Sequence, residues 1–224
     1  MSKENKSEID TEIVKEMART AVERNDDIRH DVRSVTLQAL SDGHLDTKKI
    51  NKVVHAVMEG VSIGVEDKSE QAKDVLSDAM SGMDDALAKS AEASKLAVEE
   101  AAGHLKDFSS QDLKRAMDDL LGLEELFFDT VHDVAKGTNE TVKETLSDLV
   151  NHAKQNGTNV GKTTSEATST LSQKLGNTLK DTASAGIQST ADVLAHIANA
   201  SAGILEGIAD TLQKEKKINL TRSN

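Results

Sequence analysis

Apolar residues return every eleven positions over much of this chain. From Val131 the steps reach Val142, Ala153, Thr164, Leu175, Gly186, Ile197 and Ile208. From Thr138 they reach Leu149, Val160, Leu171, Thr182, Val193 and Ile204. Earlier rows run Val54, Val65, Leu76, Leu87, Val98 and Ile50, Val61, Ala72, Met83, Ser94, Leu105. Such rows share a face only on a helix. Eleven residues over three turns is about 3.67 per turn, slightly above the 3.6 of a straight α-helix. The stripe therefore stays nearly straight or drifts towards a right-handed supercoil, where a heptad would impose a left-handed one. The pattern predicts an all-α fold: an elongated antiparallel bundle or hairpin of long helices with hendecad periodicity.

Composition supports long helices and a thin core. The chain of 224 residues has no Pro, Cys, Trp or Tyr, and its aromatics are Phe108, Phe127 and Phe128. One interior Pro would cost a helix about 3 kcal/mol. Aromatics normally supply much of a compact core's buried area. With Ala, Val, Leu and Ile in their place, the core is expected to resemble the seam between packed helices.

Punctuation divides the chain into an N-terminal helix over 1–43, a long central helix over 46–107, a third helix over 109–156, a Ser/Thr/Gly-rich amphipathic helix over 157–213 and a basic tail over 214–224. Ser7 to Asp10 resembles a capping box, and Ser41-Asp42-Gly43 is a stop. Asp46 is placed to cap the central helix, with Leu45 and Ile50 as a hydrophobic staple. At about 60 residues that helix would be roughly 90 Å long. Lys136-Gly137-Thr138-Asn139 and Asn156-Gly157-Thr158-Asn159 both read as breaks. The apolar phase nevertheless persists across them, so 110–213 reads as either one helix or two.

Between Gly157 and Leu212 charge thins out and glycines collect at 157, 161, 176, 186, 203 and 207. Relative to Ala they cost an isolated helix about 5–6 kcal/mol, so the apolar stripe needs a cover. A weakly charged Ser/Thr/Gly face beside an apolar stripe is the composition of helices that bind lipid by apolar burial. Gly203 and Gly207 form a GxxxG pair, read here as a packing detail.

No constellation suited to catalysis emerges. Asp27 with His30 and Asp129 with His132 have acid-x-x-His spacing, but carboxylate-bridged metal bundles use Glu there and two further Glu. Both histidines read as half-exposed surface residues. The pairs Asp84-Asp85, Glu99-Glu100 and Glu124-Glu125 read as solvated faces. Gly157 to Thr163 is reminiscent of a phosphate loop, yet only three residues separate Gly157 from Gly161, where that loop needs four. A net charge of −12 argues against nucleic acid. The polar start of the chain lacks a secretory h-region, and no apolar run reaches about 18 residues. With no cysteine, the expectation is a cytoplasmic, non-enzymatic protein without cofactor, metal or transmembrane span.

At the level of pattern the chain resembles phasins on polyester granules, perilipin- and apolipoprotein-type lipid coats, and late-embryogenesis-abundant proteins. The shared features are the hendecad rows and the Ala/Ser/Thr/Gly-rich second half, over roughly residues 47–212. The resemblance implies coating of an apolar granule or lipid surface. The contact is expected from Leu171, Leu175, Leu179, Ile187, Val193, Ile197, Ile204 and Ile208. The alternative is a structural protein whose helices bundle with a helical partner or with another copy of itself as a homo-oligomer.

A peptide of residues 157–212 is expected to be mostly disordered in buffer and to gain helix on an apolar interface or on the rest of the chain. Far-UV circular dichroism measures this. Leu175→Asp with Ile197→Asp should abolish the gain, because both lie in one row.

Overall fold

The computed structural model describes residues 10–24, 26–41, 47–66, 68, 71–103 and 117–182. Among them every regular element is an α-helix and none is a strand. The helices are α1 (Thr11–Arg24), α2 (Ile28–Ser41), α3 (Thr47–Val65), α4 (Ala72–Gly103), α5 (Leu123–Lys136), α6 (Glu140–Asn156) and α7 (Asn159–Thr182). No described helix is long and apolar enough to cross a membrane.

The all-α expectation holds, but the long helices are cut into shorter ones. The helix expected over 1–43 is interrupted before Ile28, where the Asp27 carboxylate accepts the His30 backbone N–H at 3.0 Å and caps α2. Asp10 caps α1 in the same way, accepting from Glu12 and Ile13. The central helix expected over 46–107 stops at Val65 and resumes at Ala72. Residues Glu66 to Gln71 are all polar, so helix there would bury nothing. Lys68 N–H instead donates to the Val65 carbonyl, and Gln71 N–H to that of Lys68.

The third helix is cut as well. Gly137 closes α5, and Asn139, in an extended conformation, caps α6 through a bond from Val142 N–H at 3.1 Å. Gly157 separates α6 from α7 at φ 80°, ψ 163°, a region that essentially only glycine occupies. The breaks at Gly137 and Gly157 are therefore real, although the apolar phase continues through both. Val131, Val142 and Thr164 are buried and Ala153 is partly buried. A turn redirects the helix axis but leaves the demand for an apolar residue on the inner face.

The closest packing joins α1 to α3. A Cβ on Gly60 would overlap the Lys15 carbonyl oxygen, and one on Gly64 would press on Val22 and the Arg19 carbonyl. Small residues let backbones approach in this way. Lys15 lies beside Gly60 and Arg19 beside Gly64, so α1 and α3 run in the same direction. This differs from the expected antiparallel pairing of two long helices. The reversal occurs instead between α1 and α2: Lys68, just past α3, reaches the Val22 carbonyl near the end of α1, whereas Lys49, at the start of α3, reaches the Leu40 carbonyl near the end of α2.

Cross-links reinforce this arrangement. Lys15 pairs with Glu59 at 2.8 Å. Lys68 Nζ donates to the Val22 carbonyl at 2.6 Å, and Lys49 Nζ to the Leu40 carbonyl at 3.0 Å. Lys68 and Lys49 thus each satisfy a carbonyl in the last turn of another helix, where positive charge is favoured.

The core is built from Val, Ala, Leu and Met, with Phe127 and Phe128 both buried on α5. Their ring centroids are 5.7 Å apart, and Lys154 Nζ of α6 lies 5.4 Å from the Phe128 centroid. Phe108 lies outside the described residues. Asn51 of α3 donates to the buried Thr130 hydroxyl of α5 at 2.9 Å.

Gly60→Ala is expected to lower stability by about 1–3 kcal/mol in urea unfolding, because the backbone it would strike cannot yield as a side chain does. At Gly122 a Cβ would meet nothing nearer than 3.5 Å. Gly122→Ala should be neutral or stabilising by up to about 1 kcal/mol. Equal effects at the two positions would contradict the close α1–α3 contact.

Candidate functional site

The stripe expected to bind a surface begins on α7. Val160, Ala167 and Leu171 of this helix are fully buried. α7 lies along α4, and Asp85, Ala88, Lys89, Glu92 and Lys95 share a groove with Thr163 and Glu166. Asp84 meets α7 at its first residue, Asn159, and the groove beyond takes in later residues of both helices, so they are parallel. Leu171 is thus an internal core residue. Leu175 and Leu179 fall within α7, but their side chains lie outside the described residues. Ile187, Val193, Ile197, Ile204 and Ile208 lie wholly outside them.

The start of α7 gathers hydrogen bonds from α4 and α5. A helix N-terminus carries N–H groups without intrahelical partners. Asn159 and Val160 N–H each donate to one oxygen of the Asp84 carboxylate at 2.8 Å. Gly161 N–H donates to the Thr158 hydroxyl at 2.9 Å, and Lys162 N–H to the Thr158 carbonyl at 3.1 Å. Thr158 is the local cap, and its hydroxyl in turn donates to Glu124 of α5. Asp84 caps the same helix from α4, across a separation of 75 residues.

Asp85 completes the clasp. It accepts from the Asn159 side chain at 2.8 Å and pairs with Arg29 of α2 at 2.7 Å. Asp84, Asp85 and Glu124 therefore face the turn before α7 and are not the solvated faces expected from their adjacency in sequence. The likeness of 157–163 to a phosphate loop is also resolved. Each N–H of the first turn, where a phosphate would bind, is occupied by the chain's own oxygens.

Electrostatics in the clasp are opposed. Burial pushes the Asp84 carboxyl above the usual carboxylate range, the two backbone N–H bonds pull it back only in part, and Asp85 and Glu124 add to the rise. Arg29, bonded to Asp85, brings a cation to the group.

The other titratable pairs play local roles. Asp27 is the α2 cap, and its partner in the acid-x-x-His spacing, His30, has a side chain 54% exposed. Asp129 and His132 are both exposed. Among the described residues no group of three or more His, Asp or Glu is placed to hold a metal ion.

The Thr158 cap after Gly157 was visible as sequence punctuation. Asp84 was not, because nothing local marks a carboxylate that caps a helix 75 residues away.

The sign of the pH dependence follows from the raised Asp84 carboxyl. The folded chain holds that proton more tightly than the unfolded chain, whose carboxyl sits near the model value of 3.8. Asp84 then contributes its full stability below that value, and the contribution is lost as pH rises through the folded pKa. The stability of the wild type minus that of Asp84→Asn is expected to fall as pH rises between about 3 and 7 in urea titrations. A difference that is flat or rises would contradict the burial of Asp84.

No curated protein and no solved structure matches the chain. Residues 4–214 match a family of unknown function, DUF6781. The match takes in α1 to α7, the carboxylates of α4, the Gly157 turn and the whole apolar stripe from Leu171 to Ile208, and on that extent the chain belongs to the DUF6781 family.

Proposed function

We propose that this is a non-catalytic helical protein that coats an apolar surface, a storage granule or lipid, through its C-terminal amphipathic stripe. The observation that supports this reading is the composition of residues 157–212, an apolar stripe on a helix whose start is docked on α4 at Asp84. The apolar rows run on through Leu179, Ile187, Val193, Ile197, Ile204 and Ile208. With charges sparse and glycines frequent there, helix needs an apolar cover. In this reading the body from α1 to α6 folds on its own core and carries the stripe, whose hendecad phase keeps the contact face straight along a flat surface.

A second reading draws on Leu171, which is 0% exposed against the body. The remaining stripe would then be covered by a helical partner or a second copy. The two readings separate in one experiment. The full chain is mixed with triolein droplets and, separately, with poly(3-hydroxybutyrate) particles, and each is spun out. Binding to either is expected, with loss of at least about tenfold for Leu175→Asp combined with Ile197→Asp, since each buried Leu or Ile contributes about 1.5–3 kcal/mol. Failure to bind both, with concentration-dependent self-association abolished by the same pair of substitutions, would replace coating by helix bundling.

A further inference from the structure

We propose that the α4 carboxylates form a latch, a cap supplied from another helix that holds the start of the stripe-bearing helix on the body and opens when Val160, Ala167 and Leu171 leave their buried sites. The proposal rests on the surface-coating reading for its purpose, but the latch itself stands on geometry.

Three observations carry it. First, the contacts converge on one turn. Asp84 takes the first two N–H groups of α7, Asp85 takes the Asn159 side chain, and Glu124 takes the Thr158 hydroxyl. Two helices, α4 and α5, therefore grip the residues next to Gly157. Second, that glycine has the backbone freedom of a hinge, with no atom within 4 Å of the place a Cβ would occupy. Third, the grip is electrostatically crowded. Asp84 faces Asp85 on its own helix and Glu124 on α5, against Arg29 from α2; Lys162 on α7 is exposed. Crowded carboxylates repel, so the hydrogen bonds hold α7 against an opposing force.

The consequence is a helix that is positioned firmly but held weakly. The first members of the stripe are inside the body when the latch is closed. When it opens they extend the apolar face, which lengthens the stripe towards its N-terminal end.

The test uses the full chain. Amide hydrogen exchange is measured for the wild type, Asp84→Ala and Thr158→Val, the last removing the hydroxyl from the opposite side of the clasp. Both variants are expected to accelerate exchange over 159–171 by about five- to tenfold, the loss of one helix cap. Exchange at Val53, Val57 and Val61 of α3, buried in the core, should be unchanged and so report an intact body. The variants should also bind triolein droplets several-fold more tightly than the wild type.

Unaltered exchange over 159–171 in both variants would overturn the latch, whatever the droplets do. Faster exchange with unchanged affinity in a wild type that binds would overturn its control of the stripe. If no form of the chain binds droplets while exchange is faster, the coating reading fails and the latch survives as a helix-docking device.

Discussion

A helix leaves backbone groups without partners at each end, and this chain has many helix ends. It has no proline to stop a helix, yet α3 and α4, α5 and α6, and α6 and α7 are each divided by a short polar stretch. The arrangement of helices follows from how those ends are satisfied. Asp10, Asp27, Asn139 and Thr158 serve their own helices. Lys68, Lys49 and Asp84 serve others. The signs follow the helix dipole, with lysines on C-terminal carbonyls and a carboxylate on N-terminal N–H groups. A cap from another helix does more than satisfy an orphan group. It fixes which end lies beside which neighbour, and so sets register in a core of small, interchangeable aliphatic side chains.

Packing between the helices depends on the same shortage of large residues. Without tryptophan or tyrosine, area is buried by bringing backbones together. Gly60 and Gly64 face Lys15, Arg19 and Val22 so closely that a methyl group would not fit. Phe127 and Phe128, adjacent on α5 and both buried, require cover on more than one side of that helix. α3 supplies it on one side, through the Asn51–Thr130 bond, and α6 on another, through Lys154 over Phe128.

The helical class was legible from periodicity, and the row members that fall on described side chains are mostly buried: Val54, Val65, Leu76 and Leu87 in one row, Val160 and Leu171 in another. The cuts are less legible, because a regular apolar phase persists through a turn and does not mark where the axis changes. The polar run from Glu66 to Gln71 was the signal for one cut, and the Gly137 and Gly157 punctuation for two more. The parallel pairing of α1 with α3 was marked only by Gly60 and Gly64, which are four apart on one face. The clasp was half legible. Thr158 is a recognisable cap after a glycine, but its partners come from α4 and α5, and only the folded chain brings them together.

Hydrogen bonds and burial have different tasks at α7. Each bond in the clasp is worth about 1 kcal/mol net, and the crowding of Asp84, Asp85 and Glu124 takes part of that back. Val160 and Leu171, both 0% exposed, contribute about 1.5–3 kcal/mol each by leaving water. Burial therefore supplies most of the attraction between α7 and the body, but it is indifferent to small shifts along a face of similar aliphatic residues. The bonds are weaker in total but directional. A slip of one residue would carry Asn159 and Val160 N–H away from the two oxygens of Asp84. The clasp thus selects one register among several of comparable burial.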